Sequence, residues 1–417
     1  MIRFKLFIMM VLELFIWGAW LPLVWTYIGP NGLNFSGNQQ ALIGSAFAIA
    51  SVVGIFFSNQ FADRNFAAEK FLAFSHLIGG LSMLGLYWAT SFPAFFGLML
   101  VHSLFYVPTL SVANALAFAN LKDAQKEFGP IRMGGTVGWI LAAWPLYFII
   151  GQKTGVEAIP MYKNIFLISG IASLVLAAYS LTLPHTPPKK AAAGGAETSL
   201  AWVRAFKLLA IPYLLVLFIV TFIDATIHNG YFVMAGGFLA NVGFEPKYIM
   251  PIMSIGQVAE ILTMLGLGLA LKRLGWKTTM VIGILGHTLR FGAFALFPEG
   301  KTLIVLVQVL HGICYAFFFA TVYIFIDAAF PKDVRTSAQG LFNLLILGLG
   351  DLAAKWIFIP LQASLTKVDA AGVAVTDYRT LFMVPSVMAI AAALMLILFF
   401  KPPRETGAEA SAAVPAH

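Results

Sequence analysis

Apolar side chains in this chain come in runs of about 20 residues, the length a helix needs to cross the hydrocarbon layer of a bilayer. Only helices and closed barrels satisfy every backbone N–H and C=O in lipid. A barrel strand alternates polar and apolar residues, and these runs do not. They lie near 6–28, 41–61, 71–91, 94–119, 132–152, 162–183, 209–236, 248–271, 278–297, 302–327, 337–362 and 380–400. The pattern predicts an all-α polytopic membrane protein with 12 transmembrane helices. Charged residues make up 11% of the 417, whereas a soluble globule carries roughly 25%.

The net charge of +8 raises the question of nucleic acid, but the basic residues stand in ones and twos at the ends of apolar runs and form no stripe. They read as topology signals, and no nucleic-acid partner is expected. With both termini cytoplasmic, the inside segments hold Arg3, Lys5, Arg64, Lys70, Lys122, Lys126, Lys189, Lys190, Arg204, Lys207, Lys272, Arg273, Lys277, Lys332, Arg335, Lys401 and Arg404. The outside segments then hold only Lys153, Lys163, Lys247, Lys301, Lys367 and Arg379, so the bias favours that orientation. Arg3 and Lys5 precede a run of full spanning length with no small-residue cleavage pattern after it, which predicts a first span in place of a cleavable leader. The single cysteine, Cys314, leaves neither a disulfide framework nor a thiolate metal site.

The longest polar stretch before the tail runs from Pro184 through Lys189 and Lys190 to Thr198. It divides the chain into a six-helix half, 1–184, a cytoplasmic linker, 185–207, and a second six-helix half, 208–401; the Ala-rich tail, 402–417, reads as disordered. Two halves joined by a linker resemble the plan of the major facilitator superfamily, whose substrate sites lie near the midplane. Phe61-Ala-Asp63-Arg64 after the second span and Leu271-Lys-Arg273-Leu-Gly275-Trp-Lys277 after the eighth resemble degenerate copies of that superfamily's loop motif, at equivalent places in the two halves.

A charge at mid-membrane costs about 2.5–3.5 kcal/mol even on the lenient insertion scale, so intramembrane polar residues are functional candidates. Arg132, Thr136 and Trp139 are spaced i, i+4, i+7 on the fifth span and share one helical face: a fork of donors, a hydroxyl and a large ring. Snorkelling of Arg132 to lipid phosphate is the alternative. Gln257 and Glu260 share a face of the eighth span, and Thr226 and Asn229 a face of the seventh, where Asp224 and His228 are close by. Asn229 is balanced between lining a cavity and bridging helices. The tenth span is unusually aromatic, and Tyr315 and Phe318 are its candidates for stacking a planar ring. Glu13 and Trp17 pair at i, i+4 on the first span. His76, His102, His287 and His311 read as helix-packing or interfacial residues, with no metal-ligand partners at a usable spacing. No nucleophile–base pair stands at mechanistic spacing either, so an enzyme is not expected.

Seven strings, in order along nearly the whole chain, resemble the bacterial nucleoside:proton symporter family. They are Trp17-Gly-Ala-Trp20-Leu, Pro108-Thr-Leu, Pro130-Ile-Arg132-Met-Gly-Gly-Thr136-Val-Gly, Leu183-Pro-His185, Met253-Ser-Ile-Gly-Gln257-Val-Ala-Glu260, Leu289-Arg290-Phe and Arg335-Thr-Ser-Ala-Gln339-Gly. The resemblance implies proton-coupled nucleoside uptake by alternating access. The short loops and the absence of a targeting peptide suit a bacterial inner membrane, and a monomer with no cofactor beyond the coupling proton is expected. It implies contacts to the nucleoside from Arg132, Thr136, Trp139, Asn229, Gln257 and Glu260. Two positions depart from the family's pattern: Thr226 stands where a Gln is expected, and Tyr315-Ala316 where an aromatic–Asp pair is expected. Coupling then falls to Glu260, Glu13 or Asp224, or transport is uncoupled. The same fold carrying a sugar or another polyol is the remaining alternative, because ribose-like hydroxyls ask for the same groups.

Overall fold

The computed structural model describes residues 2–54, 65–122, 124–188, 207, 209–330, 335–370 and 374–402, with the backbone alone at 124–126, 156 and 335–337. Asp63 and Arg64 of the first loop motif, most of the linker, the side chain of Arg335 and the tail from residue 403 lie outside the described residues.

Among the described residues nine helices are long and apolar enough to cross a membrane: Ile2–Ile28, Phe92–Ala119, Glu127–Ile150, Glu157–Ser180, Pro212–Asn241, Pro246–Leu296, Lys301–Ala329, Ala338–Ser364 and Tyr378–Phe399. The expected spans 248–271 and 278–297 share the stretch Pro246–Leu296, interrupted at Gly275, whose φ of 72° and ψ of 175° suit a residue without Cβ. The expected spans 41–61 and 71–91 fall on Gly37–Val53, which ends at the edge of the described residues, and Ala68–Leu86. Helices dominate because apolar runs of this length close their own hydrogen bonds. The runs did not foretell the short antiparallel ribbon outside the spans, Thr366–Val368 against Ala374–Thr376, in which Thr366 faces Thr376.

Local chemistry sets the ends and breaks. Ser36 caps Gly37–Val53: the Gln39 N–H donates to Ser36 Oγ at 3.3 Å, and the Ser36 N–H to Gln39 Oε1 at 2.9 Å. The first span is broken between Ile2–Gly18 and Leu21–Ile28, where Pro22 supplies no N–H. Asp377 caps Tyr378–Phe399, accepting from the Thr380 hydroxyl at 2.7 Å and the Thr380 N–H at 3.1 Å. These donors hold its carboxyl below the usual carboxylate range. Two π-helical turns, Tyr315–Ala320 and Leu344–Leu349, interrupt the tenth and eleventh spans. Such turns release carbonyls from the i→i+4 ladder, and side chains take them up: Thr321 Oγ1 donates to the Ala316 carbonyl at 3.4 Å.

Packing divides the chain into two units. The first comprises Met1–Lys190, Gly230–Val258 and Leu352–Leu381. In it Ile2–Gly18 and Ala124–Leu141 cross backbone against backbone, since a Cβ on Gly134 would lie 2.7 Å from the Phe7 carbonyl oxygen and one on Gly138 1.9 Å from that of Val11. Lipid gives no hydrophobic drive between helices, so this close small-residue contact is what holds the pair. At one end of the same unit Arg3 pairs with Glu127 and Lys5 Nζ donates to the Thr182 carbonyl at 2.6 Å. Glu69 fastens the start of the linker, accepting from the Thr186 N–H at 3.0 Å and pairing with His185 Nδ1 at 2.8 Å. Burial pushes the Glu69 carboxyl up, but these two donors outweigh it and leave the group below its ordinary value.

The second unit comprises Ala191–Asn229, Ala259–Asp351 and Phe382–His417. Here Gly312 lies on the backbone of Glu260, where a Cβ would come within 2.2 Å of the Glu260 nitrogen, and Gly350 lies on Ala225. Phe382 stacks on Phe291 with centroids 5.7 Å apart.

Candidate functional site

In the first unit Arg132, Thr136 and Trp139 are all half-buried along Ala124–Leu141. The Arg132 guanidinium lies back over Gly135, whose added Cβ would sit 2.5 Å from Nη1. The bare Gly135 therefore leaves room for the cation to lie along its own helix. Trp139 stands edge-on to two rings, Trp17 at 5.5 Å and 74° and Phe232 at 5.6 Å and 63°, while Trp17 stacks on Phe47 at 4.7 Å and 16°. Gly18 permits this, because its added Cβ would be 3.0 Å from the Trp139 ring. Trp17 Nε1 and Gln257 Oε1 are buried and have no hydrogen-bond partner among the described residues. A buried donor left open on a ring that its neighbours hold in place suits a polar, planar ligand.

Glu13 is in a different situation. Its carboxyl is 1% exposed and contacts His76 Nε2 at 2.9 Å and Thr109 Oγ1 at 2.6 Å, while Tyr106 OH donates to its carbonyl at 2.7 Å. The Ser173 hydroxyl donates to the His76 carbonyl at 2.9 Å, so at 3.3 Å from His76 Nδ1 it accepts. Nδ1 thus carries hydrogen, and one further proton lies between Nε2 and the Glu13 carboxyl. With that proton the pair is net neutral whichever atom holds it. It joins Ile2–Gly18, Ala68–Leu86, Phe92–Ala119 and Asn164–Ser180.

In the second unit Asn229 is half-buried and donates from Nδ2 to the Ala225 carbonyl at 2.9 Å and to the Ile346 carbonyl, inside a π-turn, at 3.2 Å. It bridges helices through its NH2 and keeps the side-chain carbonyl for another partner. Thr226 is 1% exposed and its hydroxyl donates to the Phe222 carbonyl of its own helix at 2.8 Å. Glu260 is half-buried against Gly312. Tyr315, half-buried, opens a π-turn and lies 5.9 Å from the His228 ring, whereas Phe318 in the same turn is wholly buried against Gly283.

Spacing alone did not reveal that His76, His287 and His311 belong to hydrogen-bonded clusters with charged partners. His76 meets Glu13, and in the second unit Arg290 donates to both His287 and His311 beside Asp224. The only signals in the sequence were the single faces shared by Asp224 and His228 and by His287 and Arg290. Among the described residues no group of three or more His, Cys, Asp or Glu side chains is arranged to hold a metal ion.

A family model described as nucleoside H+ symporter matches residues 1–405. The putative nucleoside transporter YegT of Escherichia coli K12 is 34% identical over 352 residues, covering 84% of this chain and 81% of that protein. The xanthosine permease of the same organism is 28% identical over 415 residues, covering 96% of each. A crystal structure of the nucleoside transporter NupG superposes with a TM-score of 0.83 at 26% identity over 96% of this chain and 99% of that one. The crystal structure of a D-xylose–proton symporter, with a TM-score of 0.71 at 15% identity over 96% and 98%, shares the fold.

Proposed function

Because the chain belongs to the nucleoside H+ symporter family, membrane transporters with the major facilitator fold, we propose that it takes up nucleosides together with protons by alternating access. It does so in the cytoplasmic membrane of a bacterium, with both termini inside, as a monomer and with no cofactor beyond the coupling proton. The observation that carries this reading is the first unit's half-buried face of Arg132, Thr136 and Trp139, with Trp139 held between Trp17 and Phe232. A base stacks on such a ring, a contact worth about 1–3 kcal/mol per base in nucleic-acid binding proteins. Guanidinium and hydroxyl donors reach its edges and the ribose hydroxyls. The open Gln257 oxygen, the Asn229 carbonyl and Glu260 are the remaining polar groups assigned to the nucleoside, and Tyr315 is a second ring.

The role of Thr226 in this scheme is reduced to shape, its hydroxyl being engaged on the Phe222 carbonyl. Phe318 is wholly buried against Gly283 and contributes packing in this scheme, while Phe319 is the ring against Tyr315. Of the acids, Glu260 carries a coupled proton, since a bare carboxylate is costly in a water-poor site. Glu13 is assigned to holding helices together, because His76 already neutralises it.

Uptake of radiolabelled uridine and adenosine into proteoliposomes under an inward proton gradient, with and without a protonophore, tests the reading. Gradient-dependent accumulation that Glu260→Gln lowers is expected; full accumulation by the variant removes Glu260 from coupling. Equilibration without accumulation supports an uncoupled facilitator, the reading favoured by Ala316 where the family resemblance expects an acid.

A further inference from the structure

Buried in the helices of the second unit is a polar cluster that the nucleoside contacts do not use. Asp224 is wholly buried, and neither carboxyl oxygen has a hydrogen-bond partner among the described residues. Its neighbour is His287 Nε2, 3.8 Å from Oδ1 and too far for a hydrogen bond. On the other side of that ring Arg290 Nη2 lies 3.3 Å from His287 Nδ1, and Nη1 lies 2.7 Å from His311 Nδ1. His228 stacks on His311 with centroids 4.7 Å apart and meets His287 edge-on at 5.8 Å.

The direction of every hydrogen bond follows from one fact. A guanidinium has donors and no acceptor, so His287 and His311 both accept at Nδ1. Each is then a neutral imidazole with its hydrogen on Nε2, and the His287 N–H is turned toward Asp224. Arg290, 0% exposed, is a fixed positive charge that locks these tautomers. The cluster is neutral when Asp224 is ionised and carries one positive charge when Asp224 is protonated. A guanidinium at its centre, occupying two ring nitrogens, leaves no place for a cation. Other titratable groups on these helices include His228 and Tyr231 on the helix of Asp224, Cys314 and Tyr315 beside His311, Glu260 on the stretch that carries His287, and Asp351 and Lys355 on the helix of Gly350, which packs on Ala225.

A carboxyl selected to strengthen a membrane helix bundle closes its hydrogen bonds, since an open one in lipid costs several kcal/mol. This one is left open, one donor short of contact. We propose that Asp224 is a proton-holding site of this transporter, with His287 and Arg290 as its positioning residues. A proton from the aqueous phase joins the Asp224 carboxylate to form the acid, the helices carry it, and the acid returns it to water on the other side. The state of the acid reaches the nucleoside contacts along one helix, on which Asn229 follows Asp224, and through the His228 ring against Tyr315. The inference rests on the symport reading above, and adds to it a second acid remote from Glu260 in the sequence.

The test uses the full chain in lipid vesicles, with two measurements on the same samples. Infrared spectroscopy titrated between pH 9 and pH 5 follows protonated-carboxyl bands, and uridine accumulation is measured under an imposed gradient of one pH unit. With a proton on each of Glu260 and Asp224, two protons per uridine give about hundredfold accumulation per pH unit. Asp224→Asn, checked for monodisperse elution, is expected to lose one titrating carboxyl band and to bring about hundredfold accumulation down to about tenfold. An unchanged band pattern, or about hundredfold accumulation by the folded variant, overturns the proposal. If Asp224→Asn does not fold, His287→Leu and His287→Gln decide instead. Loss of the facing N–H in His287→Leu is expected to move the midpoint of the Asp224 band by about one pH unit or more, and the amide of His287→Gln to restore it; a midpoint unmoved in His287→Leu overturns the proposal. Failure of the wild-type protein to accumulate uridine rejects symport, while the infrared titration still decides whether Asp224 binds a proton.

Discussion

Removing one partner of the Glu13–His76 pair is expected to do more harm than removing both. The pair is buried to within 1% of complete exclusion from solvent, and its 2.9 Å contact neutralises the carboxyl. In His76→Leu the Glu13 carboxyl keeps only the Thr109 hydroxyl, and breaking a buried ion pair in this way costs about 3–5 kcal/mol. In Glu13→Leu the imidazole loses its Nε2 partner, an unsatisfied buried group worth about 1–3 kcal/mol. Independent effects would add to roughly 4–8 kcal/mol in the double variant. An apolar replacement of both partners removes the orphaned groups instead, and such replacements are close to neutral, at about 0–2 kcal/mol after repacking of the changed volume. The coupling energy is therefore several kcal/mol, far outside additivity. Equilibrium unfolding of the purified wild-type, two single and one double variants in mixed micelles measures it. A double variant as unstable as the sum of the singles would refute the pairing, and with it the assignment of Glu13 to holding helices together.

Three further outcomes follow from the packing and the site. Gly138→Ala places a Cβ 1.9 Å from the Val11 carbonyl oxygen, so the helices Ile2–Gly18 and Ala124–Leu141 must part. Overpacking of this kind costs about 1–3 kcal/mol, and a thermal midpoint equal to wild type would contradict the crossing. Trp139→Ala removes the proposed stacking ring, and a loss of about 1–3 kcal/mol corresponds to a KM for uridine uptake raised roughly 5- to 150-fold; an unchanged KM would take Trp139 out of the site. Asp377→Ala removes a helix cap and costs about 1 kcal/mol. The Asp377 carboxyl is held below its ordinary value by Thr380, so its stabilisation is present above the unfolded-state value near 3.9 and is lost as pH falls through the folded-state value. The difference in thermal midpoint between wild type and variant should accordingly shrink on acidification and hold steady at neutral pH.

Fold class and family were legible in the sequence because both rest on features that neighbours along the chain determine. Spanning runs follow from the length of the hydrocarbon layer, and the strings around Arg132, Gln257 and Arg290 are local. The candidate face of Arg132, Thr136 and Trp139 was legible for the same reason, since i, i+4, i+7 spacing fixes a shared side of a helix. What spacing did not decide is whether a polar group is already engaged. Thr226 and Asn229 look alike as neighbours on one helix, yet Thr226 spends its hydroxyl on the Phe222 carbonyl while Asn229 reaches a carbonyl opened by a π-turn more than a hundred residues away. Phe318 and Tyr315 likewise occupy one aromatic run, and only packing against Gly283 separates the buried ring from the half-buried one.

The acids mark the division most clearly. From the sequence alone, Glu13, Asp224 and Glu260 were three carboxyls in three spans, each too costly in lipid to be idle. The tertiary structure separated them by partner, closing Glu13 onto His76 and leaving Asp224 open before the N–H of His287. Solubility in lipid depends on how many apolar residues stand in a row, which a chain states along its length. The state of a buried charge depends on what lies within about 4 Å of it, and for these groups that is chosen by helices far apart in the sequence.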